Sequence, residues 1–192
     1  MKRYVFASIR MAVLTMVVLG LVYPLAVTGL AQVLMPAKAN GSLVTSANGT
    51  VIGSSLIGQG FTDAKYFHGR PSAAGADGYD ATASSASNLA PTSRALVDSV
   101  AARVATAVAE NPGLTSGTVP VDMVTASGSG LDPDITLANA YAQVARVASA
   151  RGTSADAVRV LVDATATGRQ FGLLGEPHVN VLALNIALDA AK

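Results

Sequence analysis

The hydrophobic pattern of this chain is dominated by one long run near its start. Residues 11–35 carry no charged side chain over 25 consecutive positions. A helix rises about 1.5 Å per residue, so a helix of this length crosses a hydrocarbon core of about 30 Å with some tilt. The run therefore predicts a single transmembrane helix, and no later segment of the chain is long enough to form another.

Shorter periodic segments after the run predict a domain of helices and strands. Apolar positions at helical spacing predict three helices, which begin near Pro91, after a capping turn at residues 131–136, and after Ser154. Gly152 is expected to end the second helix as a left-handed cap. Strands are predicted over residues 50–53, 55–59 and 118–126, and residues 179–191 predict a strand that passes into a last helix.

Residues 60–91 lack apolar periodicity and are rich in alanine, serine and glycine. They are predicted to form a long ordered or semi-ordered loop, and loops of this length inside compact domains are usually functional or disordered. The predicted fold class is α+β, with a single N-terminal transmembrane helix followed by one extracytoplasmic domain.

The distribution of basic residues predicts which side of the membrane each segment occupies. Three basic residues and no acidic residue precede the run, whereas Lys38 alone follows it at close range. Basic residues stay preferentially in the cytoplasm. We therefore predict a cytoplasmic N-terminus over residues 1–10 and a transmembrane helix over residues 11–35. A juxtamembrane linker is predicted over residues 36–49, and one extracytoplasmic domain over residues 50–192. The chain is therefore expected to lie in a membrane, in contact with lipid, and in a bacterium the residues from about 36 onward would face the periplasm or the outer surface.

A cleaved signal peptide is the alternative interpretation of the N-terminus. Ala37-Lys38-Ala39 has the small-x-small pattern of a cleavage site. The apolar core of a signal peptide is about 7–15 residues long, and this run has 25, so its length favours a retained anchor.

Four residues of the run are candidate contacts for a partner helix. Pro24 follows Tyr23 near the middle of the run, and a proline there removes a backbone hydrogen bond and bends the helix. Thr28 and Gly29 give one face that is small and polar enough for another helix to approach closely.

Composition narrows the functions open to the remaining 157 residues. They carry ten basic and twelve acidic residues and lack a basic stripe, which disfavours nucleic-acid binding. The absence of cysteine excludes disulfides, thiolate nucleophiles and cysteine metal sites. Two histidines, His68 and His178, are too few for a histidine metal cluster unless carboxylates complete it.

Several polar segments of the domain could be chemical sites, but each also has a structural interpretation. The glycine-rich residues 125–130 lack the lysine and spacing of a phosphate-binding loop, so a flexible strand-to-helix connection that needs positive φ is favoured. Asp132 and Asp134 lack the further oxygen ligands of a calcium loop, and helix capping explains them more simply. Arg70 is interpreted as a clamp for loop carbonyls or a partner contact, and Glu176 as an extended turn residue before Pro177. A hydrolase is not excluded by composition, but no G-x-S-x-G segment occurs.

Seven segments in order span nearly the whole chain and carry a specific resemblance. They include Lys65-Tyr66-Phe67-x-x-Arg70-Pro71-Ser72 and lie within residues 23–29, 53–59, 65–72, 87–92, 120–133, 143–148 and 174–185. Together they resemble the C subunit of the Kdp-type bacterial potassium-transporting ATPase. The candidate interface or structural residues in these segments are Arg70, Pro71, Ser72, Ser127, Gly128, Ser129, Gly130, Asp132, Glu176 and Asn180.

The resemblance implies a non-catalytic subunit of an ATP-driven, high-affinity potassium-import complex. In that family a channel-like subunit carries K⁺, a P-type ATPase subunit holds ATP and Mg²⁺, and a very small single-span subunit accompanies them. This chain would then assemble and stabilise the channel-like and ATPase subunits and hold no cofactor, and assistance to ATP binding or ion access is a further role discussed for the family.

Three positions depart from the pattern of that family. Asp134 stands where His is frequent, His178 stands where Arg is expected, and His68-Gly69 replaces a more usual aromatic–Ser pair. The alternative function is a membrane-anchored ligand-binding module or hydrolase of the cell envelope, which would act without partner subunits.

Overall fold

The computed structural model describes residues 2–46 and 48–191. The chain divides into two compact units, Met1–Ile52 and Gly53–Lys192.

The first unit contains one continuous helix, Lys2–Leu34, which is long and apolar enough to cross a membrane. It consists of α1 (Lys2–Val17), a π-helical turn (Val18–Val22) and α2 (Tyr23–Leu34). Pro24 lacks an amide proton, and its ring would clash with the carbonyl four residues earlier in a regular α-helix. The wider π-helical turn lies just before this proline, and the Tyr23 amide bonds the Val18 carbonyl. The predicted N-terminal helix is confirmed, and it includes the basic residues that precede the apolar run.

Short elements follow this helix. They are the helical turn α3 (Pro36–Ala39) and the strands β1 (Leu43–Thr45) and β2 (Val51–Ser54), which form a two-stranded sheet. The predicted strand at residues 50–53 corresponds to β2, but the strand predicted at residues 55–59 is wrong. There the Gly58 amide donates to the Leu131 carbonyl over 2.8 Å. A Cβ on Gly58 would lie 2.4 Å from the Asp132 carbonyl oxygen, so this close approach replaces a strand.

The second unit combines five helices with a three-stranded antiparallel sheet among its described residues. The helices are α4 (Arg94–Glu110), α5 (Val121–Val124), α6 (Leu137–Arg151), α7 (Ala155–Thr165) and α8 (Val181–Ala190). The strands are β3 (Asp134–Thr136), β4 (Ala166–Thr167) and β5 (His178–Asn180), in the order β3-β5-β4. Ile135 of β3 and Ala166 of β4 both lie opposite Val179 of the central strand.

The hydrophobic core lies between this sheet and helices α6, α7 and α8. Their apolar side chains pack with Phe67, which comes from outside any helix or strand and is fully buried. The other buried members of the core are Ile135, Ala140, Val144, Val147, Ala148, Val158, Val162, Val179, Val181, Leu184 and Leu188.

Side-chain caps determine where the three core helices begin. Thr136, Ser154 and Asn180 each accept a hydrogen bond from the amide three residues later, over 3.1, 3.2 and 3.0 Å. Gly152 ends α6 in the left-handed region at φ 65°, which confirms the predicted cap. Thr136 therefore fills the capping role that the sequence suggested for Asp132 and Asp134, and residues 134–136 form β3 instead of a turn.

Residues 118–126 contain the helix α5 in place of the predicted strand. The alternation of Val119, Val121 and Met123 covers too few residues to distinguish the two periodicities. Asp122 lies in this helix, and its carboxylate accepts hydrogen bonds from the Thr136 amide at 2.8 Å and hydroxyl at 3.0 Å. This contact joins α5 to the start of α6, and a strand prediction from local alternation takes no account of it.

Residues 55–93, all of them described, contain neither helix nor strand. We call this segment the long loop. Side chains of α6 and α8 nevertheless bind its backbone at residues 64–68, which agrees with the ordered or semi-ordered loop predicted for residues 60–91. The long loop also contributes Phe67 and Ala74, which are fully buried.

Replacing Phe67 by alanine should lower the free energy of unfolding by about 3–5 kcal/mol, because it leaves a cavity in the core. The matched variant Phe171→Ala removes a ring that is 92% exposed, and it should change stability by less than about 0.5 kcal/mol. Urea unfolding of the full chain in detergent, followed by circular dichroism, measures both. Equal effects of the two variants would contradict the central position of Phe67.

Candidate functional site

Two buried amide side chains hold the long loop at Phe67 and His68. Asn185 accepts from the Phe67 amide over 2.8 Å and donates to its carbonyl over 3.0 Å. Gln143 likewise accepts from the His68 amide over 2.7 Å and donates to the His68 carbonyl over 3.0 Å. Successive residues of an extended chain direct their backbone groups to opposite sides. The loop therefore runs between α8 and α6, and each amide side chain acts as a one-residue strand partner.

The buried Arg146 on α6 adds a second set of hydrogen bonds to the same segment. Its Nη1 donates to the Ala64 and Tyr66 carbonyls over 2.7 and 3.0 Å. Its Nε donates to Asn111 Oδ1 over 3.1 Å, and its Nη2 to Gln143 Oε1 over 2.6 Å. One guanidinium thus joins the long loop to the end of α4 and to its own helix.

Arg70 connects the long loop to the chain that precedes β3. Its Nη1 donates to Asp132 Oδ2 over 2.9 Å, and its Nη2 lies 3.5 and 3.4 Å from the Thr125 and Ala126 carbonyls. Its buried Nε has no hydrogen-bond partner among the described residues. The guanidinium therefore holds loop carbonyls and one carboxylate, as the clamp interpretation expects.

Ser72 lies at the centre of the adjoining turn. Its hydroxyl donates to the Gly130 carbonyl over 2.6 Å and accepts from the amides of Ala74 and Tyr79 over 3.1 and 2.7 Å. The Tyr79 hydroxyl donates to the Arg70 carbonyl. Burial raises the pKa of Tyr79, so this hydroxyl stays protonated and remains a donor.

The serine-glycine run, residues 127–130, is packed against the long loop. The Ser127 amide donates to the Pro71 carbonyl over 3.4 Å. The Ser129 carbonyl accepts from the Ser84 hydroxyl over 2.9 Å. Gly130 has φ 69° and lies directly against backbone atoms of the long loop. The run therefore forms part of the domain's internal packing. It connects α5 to β3, so the expected flexible strand-to-helix connection is wrong, whereas the expected positive φ is confirmed at Gly130.

A cleft of about 320 Å³ opens beside these contacts. Its charged or titratable lining comes from the long loop and from α4, and it consists of His68, Arg70, Tyr79, Arg103 and Glu110. Arg103 donates to the Val124 carbonyl over 3.1 Å. Both guanidinium groups already donate to groups of this chain, and Glu110 adds a carboxylate, so the cleft is lined by charges of both signs. Among the residues that the structure describes, no cluster of three or more histidine or acidic side chains could hold a metal ion.

Burial and neighbouring charge act together on His68. Burial is the larger cause and the positive charge of Arg146 the next, and both lower the pKa of His68 below its usual 6.5. Glu110 lies 3.9 Å from His68 Nδ1 and acts in the opposite direction. Burial also lowers the pKa of Arg146, while Glu110 raises it. His68 is therefore the group at this site whose charge state is sensitive to mild acidity.

The structure brings together only some of the residues selected from the sequence. One network contains four of them: Arg70 binds Asp132, and Ser72 binds Gly130. Tyr79 binds both Arg70 and Ser72 and so joins the two pairs. Glu176 instead binds Arg169 through both carboxylate oxygens, over 2.8 and 2.7 Å. Gly128 belongs to the serine-glycine run, but a Cβ added to it would meet no described atom within 4 Å. The four candidate helix contacts lie on α2 in the first unit, outside this site: Tyr23, Pro24, Thr28 and Gly29.

Two positions that depart from the family pattern lie next to each other. His178 Nε2 is 3.8 Å from Asp134 Oδ2, on the neighbouring strands β5 and β3. Asn180 also donates to Asp134 Oδ1 over 3.1 Å and to the Ser55 carbonyl over 3.1 Å. These two departures therefore form a local polar contact of their own.

Sequence reasoning missed the residues that hold the loop most tightly. Gln143 and Arg146 hold the loop from one face of α6, and Asn139, one turn earlier on the same face, binds Asp122 and Gln143 instead. Asn185 is the single amide in the apolar sequence of α8. A polar stripe on an otherwise buried helix is the signal that identifies them, because a buried polar group requires a partner.

Replacing Gly130 by alanine should destabilise the domain by about 2 kcal/mol or more. A Cβ there would lie 2.6 Å from the Ser85 carbonyl oxygen and 2.8 Å from the Ala74 nitrogen, and the left-handed backbone alone costs about 1–2 kcal/mol. Gly128→Ala is the matched control, and it should change stability by less than about 0.5 kcal/mol. Urea unfolding of both variants tests the difference. Similar midpoints for the two would show that the run is not packed as described.

The lowered pKa of His68 makes stability depend on pH. The unfolded chain binds the proton more readily, so the contribution is fully present above pH 6.5 and is lost as pH falls from 6.5 towards the folded-state pKa. His68→Gln should reduce this loss between about pH 7.5 and 5.5, a range above the usual pKa of carboxylates. Unfolding free energies measured at several pH values provide the test. An unchanged pH slope in the variant would contradict it.

Comparison with known proteins identifies the family. The family described as KdpC, K⁺-transporting ATPase, c chain, matches residues 5–190. A relative from Myxococcus xanthus, named potassium-transporting ATPase KdpC subunit, is 58% identical over 95% of this chain and 85% of its own length. A relative of the same name from Koribacter versatilis is 54% identical over 100% of this chain and 97% of its own length. Another, from Nitratidesulfovibrio vulgaris, is 60% identical over 88% of this chain and 84% of its own length. The chain therefore belongs to the KdpC family of K⁺-transporting ATPase subunits.

Proposed function

We propose that this chain is a non-catalytic subunit that assembles and stabilises an ATP-driven, high-affinity potassium-import complex. One observation carries the proposal: the polar groups of the candidate site bind the chain's own backbone. Arg70, Gln143 and Arg146 all donate to carbonyls of the same domain. Catalytic groups must be directed at a substrate, whereas these groups hold the long loop in a fixed shape.

The membrane topology follows from charge. Three basic residues precede the apolar run and one follows it closely, which supports a cytoplasmic N-terminus and an extracytoplasmic domain in the bacterial inner membrane. A single helix cannot enclose an ion pathway. An anchored domain of this kind therefore acts through other subunits.

The partners expected from the family resemblance are three other subunits. They are a channel-like subunit that carries K⁺, a P-type ATPase subunit that holds ATP and Mg²⁺, and a small single-span subunit. Assistance to ATP binding ranks below assembly, because an extracytoplasmic domain is separated by the membrane from cytoplasmic ATP. A role of the domain in the access of K⁺ to the channel-like subunit is compatible with an extracytoplasmic domain.

A pull-down from potassium-starved source cells tests the proposal. The full chain, tagged after its last residue, is extracted in mild detergent, and the proteins that accompany it are identified by mass spectrometry. We expect a P-type ATPase and a channel-like subunit, together with potassium-stimulated ATP hydrolysis. Recovery of the chain alone from cells that express those subunits would overturn the proposal and favour an anchored ligand-binding module or hydrolase that uses the cleft.

The α2 helix should contribute to assembly through Gly29. A Cβ on Gly29 meets no described atom of this chain within 4 Å, so Gly29→Leu should leave the chain folded while it obstructs a partner helix. We expect about a fivefold loss of partner subunits in the pull-down, which corresponds to about 1 kcal/mol. Ala31→Leu is the matched control, because residues two apart lie on opposite sides of a helix. Equal recovery with both variants would remove this helix face from the interface.

A further inference from the structure

An exposed apolar loop connects β4 and β5 at the edge of the sheet. Residues 170–175, which we call the apolar tip, contain three large apolar side chains within four positions. Phe171, Leu173 and Leu174 are 92%, 79% and 60% exposed. Single exposed apolar residues are ordinary on protein surfaces, whereas a contiguous group marks an interaction site.

The shape of the apolar tip is fixed by its own backbone. The amides of Gln170 and Leu174 each donate to the other's carbonyl, over 2.8 and 2.9 Å. Gly172 donates to the Arg169 carbonyl over 3.1 Å. Phe171 adopts φ 54°, a left-handed conformation that is unfavourable for a residue of this size. The backbone thus holds a strained residue in place and presents its ring to solvent.

The apolar tip carries no charge that could attract a charged surface. No charged residue occurs between Arg169 and Glu176. These two flank the tip and neutralise each other, with Arg169 Nη2 2.8 and 2.7 Å from the two Glu176 carboxylate oxygens. The chemistry of this surface therefore matches an apolar, uncharged recess.

A protein recess fits these observations better than a lipid surface. Tryptophan and tyrosine are the side chains enriched at the membrane interface, and the apolar tip has neither between positions 170 and 175. Lipid chains also do not require a fixed loop shape. A strained, internally hydrogen-bonded loop suits a partner of defined shape, since preorganisation reduces the entropy lost on binding.

We propose that the apolar tip docks into an apolar recess on another subunit of the transporter. This inference rests on the proposed function, and it deepens it by assigning the contact to Phe171, Leu173 and Leu174. Because the contact is apolar and the flanking charges are paired internally, its strength should depend little on salt concentration.

Association of the full chain with its partner subunits provides the first test. Leu173→Glu should reduce the partner subunits recovered per chain at least about tenfold, as expected for a central apolar contact. Phe171→Asn should also reduce recovery, and asparagine tolerates the left-handed backbone, so the loop keeps its shape. Val160→Glu is the matched control, because Val160 is 65% exposed on α7 outside the tip, and it should leave recovery unchanged.

Crosslinking identifies what the apolar tip touches. The chain has no cysteine, so Leu173→Cys provides a single attachment point for a photoreactive maleimide, and Val160→Cys provides the control. A crosslink from position 173, but not from 160, to a partner subunit supports the proposal. A crosslink to lipid, or an unchanged complex with both tip variants and no crosslink from position 173, overturns it. If the unaltered chain recovers no partner subunit, the proposed function itself fails, which is a different result from an intact complex that ignores the tip.

Discussion

The second unit depends on one constraint, which is that the backbone of the long loop must be hydrogen-bonded without a strand beside it. Buried amide and carbonyl groups are costly when unpaired. At Phe67 and His68 the partners are the side-chain amides of Asn185 and Gln143, one on each side of the chain. A side-chain amide offers both donor and acceptor, as a peptide group does. The domain therefore holds an irregular loop through the kind of hydrogen bonds that a neighbouring strand would make. The buried Phe67 ring in addition anchors this loop in the hydrophobic core.

The same constraint explains why two arginines are partly or fully removed from water. Burial of a guanidinium is costly unless the group is paired and hydrogen-bonded, and Arg146 places four hydrogen bonds on the loop, on Asn111 and on Gln143. Arg70 is less buried and is balanced by Asp132. Arg70 and Gln143 line the neighbouring cleft, and because both bind other groups of the domain, these walls of the cleft are set by the fold. His68 lies beside these groups, which gives its ring a pH sensitivity that position in the sequence alone would not reveal.

The sequence was most informative where one physical factor dominates. Helix length and hydrophobicity predicted the N-terminal helix, and local capping chemistry predicted the boundaries at Gly152 and Ser154. Prediction failed where distant residues decide the conformation. Residues 118–126 were predicted as a strand from a short apolar alternation, but residues 121–124 form α5, and Asp122 in this helix binds Thr136, fourteen residues away. Gln143 and Asn185 were missed for the same reason, since their loop partners lie 75 and 118 positions away.

The internal use of charge also determines which surfaces remain for association. The arginines of the second unit that bind its loop carbonyls have few donors left for a partner, and Arg169 is neutralised by Glu176. By contrast, the ring of Phe171 is highly exposed, and its backbone is held in a strained conformation. In the first unit the helix Lys2–Leu34 presents side chains that are almost all exposed. The chain thus pairs these polar groups internally and leaves other apolar side chains exposed on a helix and on a rigid loop. Exposed apolar surfaces of this kind are typical of proteins that bind partners.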